Sequence, residues 1–211
     1  ITPQDYARAR KGKQQLPEKP IILTFDDGYE DNWRVVLPML EERGMKAAFY
    51  MVTNKIGQPG YLTWDNLFDL ERHGMEIGGH TANHLPLTTL SPEQQRDELR
   101  LSKLMLEWRG LKTIYSFSYP NGAYDDGIVA MLEEEQYLTA VTGEAGLNTL
   151  TTNPYLLRRV NVPPPHFGLM EFRLRLLKAD LAARLDERLQ QLPEGLREAV
   201  AGLRAKMHTV H

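Results

Sequence analysis

Ile21-Ile22-Leu23-Thr24-Phe25-Asp26-Asp27-Gly28 is the stretch on which the fold turns. Its first five residues form a continuous run of strand length, the pattern of a strand covered on both faces in a parallel sheet. The run stops at once in two aspartates and a glycine. Adjacent carboxylates straight after an apolar strand repel each other unless something positive lies near, and a divalent cation would resolve that conflict. Asp-Gly is equally a common turn sequence, so this segment alone leaves both readings open.

Working outward, the same unit recurs. Asn32 to Arg43 has helical periodicity and stops at Gly44, and Lys46 to Val52 predicts a second strand. Thr63 caps a helix over 64–73, and Met75 to Gly79 predicts a third strand running directly into His80. Ser91-Pro92-Glu93 opens a helix that reaches Trp108, with proline at its first position. Strands are expected near 113–119, 137–142 and 156–162, with a helix near 126–135, and Thr2-Pro3 starts a short helix over 2–10. Alternation this regular predicts an α/β fold with a parallel sheet, either a barrel or an open doubly wound sheet.

After Pro163-Pro164-Pro165 the character changes. Leu174, Leu177, Leu181, Leu185 and Leu189 recur at helical spacing among many charges. The expected organisation is a domain over 1–165 and a helical extension over 166–211, broken at Leu192-Pro193-Glu194. Such a hairpin packs on the domain or on a partner subunit of a homo-oligomer.

Composition narrows the function classes. The formal net charge of −3 over 211 residues argues against nucleic-acid binding by bulk electrostatics. The absence of cysteine removes thiolate nucleophiles, cysteine zinc sites and disulfides together. No apolar run approaches the roughly 18 residues a membrane helix needs. The chain begins at Ile1 rather than Met, as expected of a fragment or a processed form, and a signal peptide could have preceded it.

Chemistry concentrates where parallel strands end. Asp26-Asp27 closes the first strand, His80 and His84 follow the third, and Tyr119-Pro120-Asn121-Gly122 follows the fourth. In a parallel sheet these ends share one edge, so the clusters can converge. Spacing of four places both imidazoles on one face if residues 80–84 form a helical turn. Two histidines and one carboxylate leave open positions on a metal for water and substrate.

Thr24-Phe25-Asp26-Asp27-Gly28 followed by His80-Thr81-Ala82-Asn83-His84 resembles the first two motifs of the polysaccharide deacetylases, the NodB-homology or carbohydrate esterase 4 family. Tyr61-Leu62-Thr63-Trp64, Ser118-Tyr119-Pro120-Asn121-Gly122 and Leu157-Arg158-Arg159-Val160 resemble members acting on exopolysaccharides, and the likeness covers roughly residues 20–165. The resemblance implies a distorted (β/α)7 barrel that removes acetyl groups from sugars, most often N-acetylglucosamine (GlcNAc) units. It implies Asp26 as catalytic base, Asp27, His80 and His84 as metal ligands, and zinc as the metal, with cobalt or nickel as alternatives. The third motif assigns Asn121 the backbone N–H that receives the oxyanion. The implied partner is a GlcNAc-containing polysaccharide, and the implied location is secreted, periplasmic or at a bacterial cell envelope.

Two departures stand out. Where the family's third motif begins with an arginine that orients the catalytic aspartate, this chain has Ser118, and Arg159 is the expected substitute. The leucine-and-histidine motif that protonates the leaving amine is not clearly present, which leaves His166 as the expected acid. Tyr29, Tyr119, Tyr124, Trp33 and Trp64 flank the loops, and Tyr119 and Trp64 are the expected sugar-stacking rings. Two other readings keep part of this site: a hydrolase of cyclic imides or acetylated xylan, and a carbohydrate-binding protein with little turnover.

Overall fold

Ala47–Met51 forms the most thoroughly buried strand of the sheet, every residue inaccessible to solvent. Its side chains alternate between two environments. Ala47, Phe49 and Met51 join a large cluster with Leu67, Leu70, Leu99, Leu106 and Leu132. Ala48 and Tyr50 join a smaller one with Tyr6, Val141 and Leu157. A strand buried on both faces is what a parallel sheet with helical cover requires. Each fully buried large side chain contributes roughly 1.5–3 kcal/mol.

The computed structural model describes residues 1–162, 168–190, 193 and 195. Among them, six strands form one parallel sheet in sequence order, curled into a half-barrel: β1 (Leu23–Phe25), β2 (Ala47–Met51), β3 (Glu76–Gly79), β4 (Ser116–Ser118), β5 (Thr139–Ala145) and β6 (Leu157–Arg159). In register, Phe25 lies beside Phe49, Phe49 beside Ile77, and Gly79 beside Phe117. The helices are α1 (Pro3–Arg10), α2 (Leu37–Glu42), α3 (Trp64–Arg72), α4 (Pro92–Trp108), α5 (Asp126–Glu134) and α6 (Leu169–Gln190). The chain divides into two compact units, Ile1–Glu144 with Asn148–Arg158, and Ala145–Leu147 with Arg159–His211.

Local chemistry explains the helix starts. Thr2, Thr63 and Ser91 each cap a helix through reciprocal hydrogen bonds with the residue three positions on, and proline follows two of them. Two expectations are corrected. β1 keeps only Leu23–Phe25 and is half-buried, with Ile21 exposed, because it lies at the sheet edge and pairs with β2 alone. The predicted helix from Asn32 begins instead as a π-helical turn, Asn32–Val36, before α2 takes over. In the second unit α6 carries the predicted leucine pattern, and Leu174, Leu177, Leu181 and Leu185 are exposed. The second C-terminal helix expected toward His208 lies outside the described residues.

Candidate metal centre

The chain leaves β1 through two left-handed residues, Asp27 at φ 73° and Gly28 at φ 76°. A Cβ at position 28 would stand 2.9 Å from Met51 Sδ, so glycine fits the turn both sterically and conformationally. The Gly28 carbonyl accepts from Leu62 N–H at 2.9 Å, which ties this turn to the loop after β2. The turn directs the Asp27 carboxylate toward the end of β3.

His80 still belongs to the sheet edge, its N–H donating to the Met51 carbonyl at 2.9 Å. Residues 80–84 are not a helical turn, contrary to the spacing argument. They form a bend in which Thr81 (φ 64°) and His84 (φ 62°) are left-handed. The buried carboxylate of Glu98 on α4 selects that shape, accepting from Ala82 and Asn83 N–H at 2.9 Å each and from Asn83 Nδ2 at 2.5 Å. Thr81 Oγ1 accepts the His84 N–H at 2.9 Å. Sequence reasoning missed Glu98, since nothing local marks it as the partner of a loop sixteen residues earlier.

The result is a compact donor set. Asp27 Oδ1 lies 3.6 Å from His80 Nε2 and 3.2 Å from His84 Nε2, and ligand atoms of all three residues fall within 4.8 Å of one another. The imidazole centroids are 4.8 Å apart with the planes at 72°. His80 Nδ1 is 2.6 Å from the Ser118 carbonyl, which can only accept, so the ring proton sits on Nδ1 and Nε2 presents a lone pair to the carboxylate. Burial pushes the His80 imidazole below its ordinary value and keeps it neutral. A lone pair facing a carboxylate is unfavourable with nothing between them, and a divalent cation removes the conflict. Two nitrogens and one oxygen at this separation suit zinc or a similar ion.

Ser118, at the end of β4, serves both neighbours of that set. Its carbonyl fixes His80, and its hydroxyl donates to Asp26 Oδ2 at 3.1 Å. After it, Asn121 adopts φ 56°. Gly122 permits that loop: a Cβ there would sit 2.4 Å from the backbone nitrogen of Gly143. Of the five non-glycine residues with positive φ among those described, Asp27, Thr81, His84 and Asn121 belong to this region. Such concentration of disfavoured backbone is characteristic of functional sites.

The structure thus brings together Asp26, Asp27, His80, His84 and Ser118. It treats the expected sugar-stacking rings differently. Tyr119 is fully buried, its hydroxyl donating to the Tyr155 carbonyl at 3.0 Å, so its ring has no open face for a sugar. Trp64 packs against the core with the Arg109 guanidinium 5.2 Å from its ring centroid. Arg159 closes β6 and belongs to the second compact unit, where its carbonyl accepts from Gly146 N–H at 3.3 Å. His166 lies outside the described residues.

Residues 13–140 match the polysaccharide deacetylase family, and the chain belongs to it. It is 34% identical to the Bacillus subtilis (strain 168) protein YxkH over 168 residues, 80% of this chain and 60% of that protein. It is 30% identical to the peptidoglycan-N-acetylglucosamine deacetylase of Bacillus cereus over 59% of this chain and 56% of that protein. The chain therefore spans about 60% or less of these curated relatives. Among solved structures it superimposes on the Streptococcus pyogenes deacetylase PplD, determined in complex with acetate, with a TM-score of 0.76 and 26% identity over 85% of this chain and 78% of that one.

Proposed function

We propose that this chain is a metal-dependent N-deacetylase that removes acetyl groups from GlcNAc units of a bacterial polysaccharide. The observation that carries the reading is the convergence of Asp27, His80 and His84 within 4.8 Å, with Asp26 beside them held by Ser118. Family membership and the B. cereus relative support the substrate class. Among the described residues no helix is long and apolar enough to cross a membrane. The proposed place of action is outside the cell or in its envelope, where such polymers lie.

Asp27, His80 and His84 hold the cation, with zinc as the proposed metal. When bound, such an ion supplies a Lewis acid that polarises the acetyl carbonyl and makes water acidic enough to attack near neutral pH. Asp26 accepts the proton of the attacking water, and the Ser118 hydroxyl orients its carboxylate for that transfer. Asn121 N–H donates to the developing oxyanion. As the carbon–nitrogen bond breaks, the departing amine takes a proton, delivered by His166 or returned by Asp26.

The test is acetate release from GlcNAc oligomers by the zinc-loaded protein, with Asp26→Asn as control. Acetate from the wild type and not from the variant is expected. Equal release by both, or release by neither, refutes the reading.

A further inference from the structure

The segment from Ser118 to Tyr124 carries Asn121, and its near end is fixed at the metal centre, where Ser118 holds both His80 and Asp26. Past that point β5 sets its course. Ser118 lies beside Val141 in register, and Tyr119 N–H donates to the Val141 carbonyl at 3.2 Å. Further on the two backbones touch. A Cβ on Gly143 would lie 3.4 Å from Gly122 Cα and 3.7 Å from the Asn121 carbonyl oxygen. At the far end the Tyr124 hydroxyl donates to Glu144 Oε1 at 2.5 Å, and its ring packs on Tyr119 with centroids 5.3 Å apart.

Glu144 is itself held. Its N–H donates to Thr142 Oγ1 at 3.1 Å, and that hydroxyl donates to the Leu157 carbonyl on β6 at 3.2 Å. Its other carboxylate oxygen faces Arg158 Nε at 3.8 Å. The Asn148 side chain grips the Arg158 backbone from both sides, accepting from its N–H at 2.9 Å and donating to its carbonyl at 2.8 Å. The acceptor of the Tyr124 proton is thus anchored to two strands.

Stability does not account for this arrangement. The side chains of Glu144 and Arg158 are 50% and 41% exposed, and pairs so open to water contribute little to folding. The Glu144 carboxylate pushes the Tyr124 hydroxyl up to about 12, so Tyr124 remains a donor across the neutral range. Between the two fixed ends lies Asn121 at φ 56°, a conformation that persists only where its surroundings over-determine it.

We infer that Tyr124 and Glu144 are positioning residues for the hydrolysis, their hydrogen bond fixing the loop that presents the Asn121 N–H to the developing oxyanion. The inference rests on the deacetylase reading and on the donor role given there to Asn121. A donor that stands in place before charge develops stabilises the transition state more than the bound substrate. Loosening the brace therefore lowers kcat and leaves substrate and zinc binding alone.

The test measures acetate release from GlcNAc oligomers by the zinc-loaded protein. Tyr124→Phe is expected to lower kcat about tenfold, with KM and calorimetric zinc affinity at wild-type values. Glu144→Ala should match it, while Glu144→Gln, whose amide oxygen still accepts, should retain most of kcat. The double variant Tyr124→Phe with Glu144→Ala should fall no further than either single one. An unchanged kcat in Tyr124→Phe, losses that multiply in the double variant, or a parallel loss of zinc affinity overturns the inference.

A second measurement is independent of turnover. In protein carrying isotope-labelled asparagine, Tyr124→Phe is expected to shift the Asn121 backbone amide resonance while those of Asn32 and Asn66 stay in place. An Asn121 resonance that does not move overturns the brace, and so does a general shift of all three. If the wild type releases no acetate from any oligomer, the deacetylase reading fails separately, and the amide comparison alone decides whether Tyr124 and Glu144 set the loop.

Discussion

The Ser118 hydroxyl donates to Asp26 Oδ2 across 3.1 Å, so a neutral donor acts where the family pattern has an arginine. The same residue's carbonyl holds His80 at 2.6 Å. Side chain and backbone of one residue therefore act on two different members of the site, and substitution can separate them.

Ser118→Ala deletes the hydroxyl and leaves the carbonyl. A hydrogen bond to a charged group contributes roughly 1.5–3 kcal/mol, so kcat for acetate release should fall at least about tenfold. KM and zinc affinity should stay at wild-type values. Steady-state kinetics and calorimetric zinc titration check this, and a parallel loss of zinc affinity would show that the hydroxyl only supports the fold.

Removal of the cation should abolish turnover without unfolding the chain. Chelation is expected to stop acetate release, and added zinc to restore it. His84→Ala, at a partly exposed position, should keep its circular dichroism and lose at least about tenfold in zinc affinity. Undiminished zinc binding in that variant would remove His84 from the ligand set.

Glu98→Ala leaves the N–H groups of Ala82 and Asn83 without their carboxylate acceptor. Orphaned buried donors cost about 1–3 kcal/mol each, so the melting temperature should drop by several degrees. Zinc affinity should fall with it, by about 10–100-fold, since Glu98 shapes the loop that presents His84. Thermal melts and zinc titrations of Glu98→Ala beside Glu98→Gln provide the comparison, with the glutamine variant retaining more of both properties.

Glu76 is the buried carboxyl at the start of β3, accepting from Gln4 N–H at 2.9 Å. Burial raises it above its ordinary value of 4.5. The folded chain therefore keeps this proton to higher pH than the unfolded chain does. Its contribution is fully present below 4.5 and is lost as pH rises through the raised folded value. Glu76→Gln cannot ionise, so its melting temperature should gain on the wild type as pH rises from about 4 to about 8. Melting curves of the two proteins that run parallel across that interval would exclude the effect.

The parts legible in the sequence are those with local causes. Thr2, Thr63 and Ser91 announce their helices because a cap is completed within three residues. The meeting of Asp27 with His80 and His84 follows from strand ends sharing one edge of a parallel sheet. What stayed hidden depends on distant partners. The bend at 81–84 is shaped by a carboxylate on α4, and the hydroxyl that holds Asp26 comes from 92 positions along the chain. Tyr119 reads as an exposed loop aromatic until Phe117 and Tyr124 close around it. β1 reads as a central strand from its apolar run, whereas its position depends on how many neighbours the sheet supplies.

Asp27, Thr81, His84 and Asn121 each hold a left-handed backbone that side chains disfavour, a burden of about 1–3 kcal/mol apiece that the rest of the fold must over-determine. Robustness and chemistry are thereby set against each other in this molecule. A lineage released from the need for turnover could become more heat-resistant by relaxing these four positions first. Thermotolerant variants selected without an activity screen should accumulate changes there, and such gains would mark abandonment of the reaction rather than improvement of the scaffold.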